Sequence, residues 1–118
     1  MPIQTHKGSC QCGAVRFEAT LNAEKSVTCN CSRCGRLGSI LAFTDADGFR
    51  LVSGEANLTE YLFNKQVIHH FFCKTCGVQP FSRAPMEDGK TGVAVNLRCV
   101  EDLDPDTLQS QHYDGRSI

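Results

Sequence analysis

At 118 residues, with 41% hydrophobic side chains and no tryptophan, the chain has the length of one domain (1–118) with a modest core, and a second independent unit is not expected. Twelve Lys plus Arg against 13 Asp plus Glu leave no field that would draw in nucleic acid or an anionic membrane. No apolar run is long enough for a membrane span or an export signal, so a cytoplasmic location is expected. The eight cysteines then read as reduced thiols that serve metal binding or catalysis.

Val15, Phe17 and Ala19 alternate with Arg16, Glu18 and Thr20, the period-two pattern of a half-buried strand. Residues 39–43 form a second apolar run, which ends at the turn-rich 44–48. Residues 49–52 begin again and stop at Ser53-Gly54. Residues 58–63 and 67–72 suggest a hairpin turning at Asn64-Lys65, and 91–97 is the last strand expected. No amphipathic helical period runs over three turns. One short helical turn is expected near residues 104–108, with Asp104 as cap and Pro105 at its first position.

The cysteines fall into Cys10-x-Cys12, Cys29-x-Cys31-x-x-Cys34, Cys73-x-x-Cys76 and the lone Cys99. In extended chain, residues i and i+2 share a face, so Cys10 with Cys12 and Cys29 with Cys31 can aim paired sulfurs at one point. The Cys-x-x-Cys spacings are those of zinc knuckles, and a glycine follows each cluster as Gly13, Gly35 and Gly77, where positive φ would turn backbone N–H groups toward the thiolates. Seven clustered thiolates suggest two zinc ions, one with four ligands and one with three and an open position. Spacing alone leaves open which clusters share an ion, although joining the first pair to the last closes a long loop, where a metal clip removes the most chain entropy. Cys99 reads as a buried core residue, with a fourth-ligand role for a three-cysteine site as the alternative.

Taken together, the segments Gly8-Ser9-Cys10-Gln11-Cys12-Gly13-Ala14-Val15-Arg16-Phe17, Cys29-Asn30-Cys31-Ser32-Arg33-Cys34, Leu51-Val52-Ser53-Gly54-Glu55, Phe72-Cys73-Lys74-Thr75-Cys76-Gly77-Val78-Gln79-Pro80-Phe81, Val95-Asn96-Leu97-Arg98-Cys99 and Tyr113-Asp114-Gly115-Arg116 resemble the glutathione-dependent formaldehyde-activating enzyme family, which includes centromere protein V. The resemblance implies a mainly β, zinc-stabilised β-tent of packed antiparallel sheets with one or two short helical turns. It implies a structural zinc on Cys10, Cys12, Cys73 and Cys76. It implies a second, catalytic zinc on Cys29, Cys31 and Cys34, a site able to lose its ion. Glutathione or a glutathione adduct is the implied partner.

The activity expected on this basis is that of a carbon–sulfur lyase acting on glutathione adducts of formaldehyde or another small aldehyde. A non-catalytic zinc module and a zinc-thiolate redox protein are the rival readings. His69, His70 and Tyr61 are proton-donor candidates by chemistry, and the adjacent histidines should face opposite ways. Arg33, Arg36, Arg83 and Arg98 are candidates to meet carboxylates, against an ordinary solvated-surface role.

Overall fold

The alternation around residue 17 becomes strand β2 (Arg16–Asn22), in which Phe17, Ala19 and Leu21 are buried. The computed structural model describes residues 3–63 and 65–117. Among them β1 (Ile3–Ser9), β2 and β5 (Phe49–Ser53) form one sheet in the order β1-β2-β5. The second sheet joins β3 (Val27–Cys29), β4 (Leu41–Asp45), β6 (Leu58–Tyr61), β7 (His69–Cys73), β8 (Phe81–Pro85), β9 (Thr91–Asn96) and β10 (Gln111–Tyr113). Its order is β10-β3-β4-β9-β8-β7-β6. The protein is mainly β, as expected. The antiparallel expectation holds for every pair except β10 with β3, which run parallel at one edge of the larger sheet. That exception arises because β10 returns from the end of the chain to an open edge of β3.

The apolar faces of the two sheets meet through aromatic side chains. Phe17 on β2 stacks on Phe49 on β5 at 5.5 Å, Phe49 meets Phe81 on β8 at 4.6 Å, and Phe81 meets Phe71 on β7 at 5.2 Å. Val93 and Val95 on β9 complete this core with Leu97. Each fully buried side chain of this size contributes about 1.5–3 kcal/mol relative to exposure. The turn expected at residues 44–48 is a short 3-10 segment, Ala46–Gly48, in which Asp45 accepts from the Gly48 N–H at 2.9 Å. It carries the chain from the second sheet to the first rather than closing a hairpin.

The boundaries of β6 and β7 differ from expectation: β6 stops at Tyr61 and β7 starts at His69, leaving Val67 and Ile68 exposed before it. The two strands do pair antiparallel, with Tyr61 opposite His70. Of the expected Asn64-Lys65 turn, Asn64 lies outside the described residues. The helical turn near residue 105 is present as Pro105–Thr107, where Asp104 accepts from the Asp106 N–H at 3.1 Å. A helix of one turn, α1 (Cys34–Leu37), follows β3. Among the described residues no helix is long and apolar enough to cross a membrane.

Candidate metal centre

Two loops from different sheets bring four cysteines together. The first joins β1 to β2: Cys10 donates its N–H to Val15 O at 3.0 Å, and Gly13 turns the chain at φ +84°. The second joins β7 to β8: the Gly77 N–H reaches Cys73 O at 2.7 Å, with Gly77 at φ +82°. The sulfurs of Cys10, Cys12, Cys73 and Cys76 all lie within 4.8 Å of one another. Cys12 Sγ is 3.7 Å from both Cys10 Sγ and Cys73 Sγ. A tetrahedron with zinc–sulfur bonds of about 2.3 Å has edges of about 3.8 Å, so these separations suit such an ion. One ion held there would clip the smaller sheet to the larger.

Polar groups converge on these sulfurs. Val15 N–H donates to Cys10 Sγ at 3.3 Å, and Asn57 Nδ2 donates to Cys73 Sγ at 3.1 Å. Asn57 is itself held by Thr75, whose Oγ1 accepts from the same amide at 3.0 Å. The Cys76 N–H, opposed by burial and helped by the Thr75 N–H, brings the Cys73 thiol down to about 6. Cys12 is pushed up to about 11: the Ala14 N–H pulls the other way and is outweighed by burial and the sulfurs of Cys10, Cys73 and Cys76. Such splitting is what like-charged groups show when they cannot all ionise together, and a divalent cation removes that conflict. The donor set therefore fits zinc.

Cys29, Cys31 and Cys34 form a second cluster with all three sulfurs within 4.8 Å of one another. They come from one stretch of chain: Cys29 ends β3, Cys31 lies in the following loop, and Cys34 opens α1. Cys34 N–H donates to Cys31 Sγ at 3.2 Å, and Cys31 N–H to Cys29 Sγ at 3.4 Å. Cys34 is pushed up to about 12 by burial and then by Cys31 and Cys29. Gly35 lies inside α1, and Gly38 takes the left-handed conformation (φ +70°) in its place. The expected glycine turn therefore sits at the end of the helix. Among the described residues no fourth His, Cys, Asp or Glu joins this trio.

The C-terminal segment packs against the trio. Asn30 donates its backbone N–H to Tyr113 O at 3.3 Å. Its side chain donates to Asp114 Oδ1 at 2.9 Å and accepts from the Arg116 N–H at 2.9 Å. Neither Asn30 nor Asn57 had a role in the sequence reading, because a lone asparagine carries no spacing signal. The only hint was their position beside a cysteine cluster or a motif segment.

Cys99 is buried, with Sγ 3.9 Å from Gln79 O, outside both clusters. The proton-donor candidates separate. His69 is half-exposed and bound to Glu60 at 2.6 Å, whereas His70 is buried and its ring lies 5.1 Å from that of Phe63. Tyr61 sits under the Arg33 guanidinium, 4.6 Å from its ring centre. Of the arginines, Arg98 pairs with Asp106 at 3.1 Å and Arg83 lies over the core phenylalanine rings. Arg33 and Arg36 line a groove beside α1.

The model of the glutathione-dependent formaldehyde-activating enzyme family matches residues 5–113. The fold is also similar to the crystal structure of a Rhodobacter sphaeroides protein, at 33% identity and a TM-score of 0.79, over 90% of this chain and 97% of that one. Both cysteine clusters lie within the matched residues. The chain belongs to the glutathione-dependent formaldehyde-activating enzyme family.

Proposed function

We propose that this protein is a thiol-dependent zinc enzyme that joins glutathione to formaldehyde or another small aldehyde, forming and breaking one carbon–sulfur bond. The observation that carries the reading is the contrast between a four-sulfur cluster and a three-sulfur cluster in one chain. Four thiolates complete a tetrahedral ion and suit a structural role, whereas three leave a position for a ligand. Family membership supports glutathione as that ligand. In this reading Cys10, Cys12, Cys73 and Cys76 hold the structural zinc, and Cys29, Cys31 and Cys34 hold the second, in a reducing compartment that keeps the thiols available.

With zinc bound, the second site supplies a thiol ionised at neutral pH, the form that attacks carbonyl carbon. The glutathione sulfur adds to the aldehyde carbon, the carbonyl π pair moves to oxygen, and the proton given up by the thiol is matched by one gained at that oxygen. Glutathione and formaldehyde thereby become S-(hydroxymethyl)glutathione without redox change. The chain's own groups prepare this step. The N–H groups of Cys31 and Cys34 bear on the sulfurs of Cys29 and Cys31 and draw charge from them. Asn30 fixes the loop between those two cysteines to the C-terminal segment, which limits where the loop can move when a ligand enters.

The experiment is zinc per chain by elemental analysis, together with the rate of adduct formation, in wild type and Cys31→Ser. About two ions falling to about one, with adduct formation above the spontaneous rate only in wild type, is the expected result. Equal rates for wild type, variant and buffer would remove the enzymatic reading. A second ion with a closed shell that ignores glutathione would favour the structural module.

A further inference from the structure

Among the described residues three arginines lie within 4 Å of a carboxylate oxygen: Arg16 near Glu101 (3.8 Å), Arg50 near Glu18 (3.0 Å) and Arg98 near Asp106 (3.1 Å). Arg33 and Arg36 differ. Arg33 donates from Nε and Nη2 to the amide oxygen of buried Gln79, at 2.9 and 2.6 Å, and Arg36 donates from Nη1 to the backbone oxygen of Ser32 at 2.8 Å. Both are held in place by neutral oxygens, and among the described residues neither pairs with an acid. Fixing a guanidinium by a neutral partner keeps its charge uncompensated and its remaining N–H groups directed, the arrangement that suits a planar anion.

The two arginines line a groove of about 430 Å³ with Leu37, Tyr61 and Phe63, and among the described residues no acidic side chain lines it. That volume is in the range of small-molecule sites. Its apolar wall is exposed: Leu37 and Tyr61 are 41% and 44% accessible. Below the wall, buried His70 packs on Phe63 and has no hydrogen-bond partner for Nδ1 among the described residues. Ser32 and Arg33, two of the residues that line the groove, lie between Cys31 and Cys34 in the chain, so the groove borders the loop that carries the three-sulfur cluster.

We propose that this groove is a carboxylate subsite, in which Arg33 and Arg36 receive the acid group of the thiol whose sulfur enters the second metal site. This rests on the reading of that site as open to a thiol. The protein then selects thiols that carry a carboxylate over neutral ones of the same reach, and Tyr61 and Phe63 cover the carbon chain between the two ends.

The test uses the full chain loaded with cobalt, whose thiolate absorption reports a sulfur entering the second site. Mercaptopropionate and mercaptoethanol are compared as thiols with and without a carboxylate. S-methylglutathione, which has no thiol, is followed separately by its shifts of the Tyr61 and Phe63 ring resonances. Wild type should prefer mercaptopropionate by about tenfold, the size expected of a charge-assisted hydrogen bond. Arg33→Met and Arg36→Met should each remove most of that preference and leave mercaptoethanol binding unchanged. Arg36→Met breaks only a contact to a backbone oxygen, so it separates loss of the subsite from damage to the fold. Equal binding of the two thiols, a preference that survives both substitutions, or no ring shift with S-methylglutathione would each overturn the subsite. Spectra blind to both thiols, with ring shifts that depend on the arginines, would instead uphold the subsite and sink the open-site reading.

Discussion

The backbone of Gly115 lies so close to Cys29 that a Cβ placed on it would stand 2.7 Å from Cys29 Sγ and 3.3 Å from Cys31 Cβ. A glycine is needed here for close approach and not for an unusual φ. The segment that carries it is held at successive points: Ser26 Oγ to Ser110 Oγ at 2.7 Å, Gln111 N–H to Ser26 O at 3.0 Å, then Asn30 to Asp114 and Arg116. The added methyl must therefore displace a sulfur or loosen this strap. Gly115→Ala should weaken metal at the second site by about tenfold, in line with the effect of other groups that orient ligands, and leave the four-cysteine site untouched. Competition with a chromophoric chelator resolves the two sites, and equal weakening of both would contradict this.

The two clusters should also differ in what they do for folding. Cys10 and Cys12 lie after β1, whereas Cys73 ends β7 of the other sheet, so an ion among them crosslinks chain segments far apart in sequence. Ligation of that kind contributes directly to folding free energy. Cys12→Ser should lower the melting temperature steeply, while Cys31→Ser, confined to a single local loop, should shift it little. Asn57→Ala is the graded version: it removes the side-chain donor to Cys73 Sγ and should cost the first site about tenfold in affinity with the fold retained. Calorimetry with and without chelator reads all three. A melting point equally sensitive to both cysteine changes would refute the division of labour.

The strands legible in the sequence were those with one wet and one dry face. Phe17, Val93 and Val95 announce themselves by alternation with polar neighbours, and their strands form as expected. β1 was not legible because only His6 and Gly8 of its residues are buried, and it forms by pairing along its whole length with β2. β10 is exposed at every residue and owes its place to β3 and to Asn30. The metal-type side chains were legible because cysteine spacing reflects the geometry of a tetrahedral ion. The groups that orient them were not: Asn30, Asn57 and Gln79 act across long sequence separations, and nothing in an isolated amide residue marks that.

Cys99 offers a check on the count of ligands. Its thiol is pushed up to about 12 by burial, and further by Cys10 and Cys76, so it stays neutral in the core. What sets it apart from the clustered cysteines is position: its sulfur lies outside both groups, against the Gln79 carbonyl. Cys99→Ala should keep the full metal content and destabilise the fold by about 1 kcal/mol through the small cavity left behind. Loss of an ion from this variant would make Cys99 a ligand and close one of the sites.

His70 gives a pH dependence whose sign follows from its surroundings. Burial, then the positive charge of Arg33, then His69, hold its pKa below the ordinary histidine value. The unfolded chain, with a pKa near about 6.5, thus takes up the proton before the folded protein does as pH falls. The stability that neutral His70 represents is present above that value and is lost as pH drops through it. Protonation of the metal thiolates destabilises the protein in acid as well, but that contribution is shared with a variant lacking the imidazole. His70→Phe keeps a ring against Phe63 and removes both the titration and the unpartnered Nδ1. Between about pH 7.5 and 5.5 the wild type should lose stability faster than His70→Phe, so the variant gains relative to wild type on acidification. Chemical denaturation at matched zinc concentration measures the difference. Parallel curves would mean that His70 keeps the same protonation in both states and that its burial is compensated in the fold.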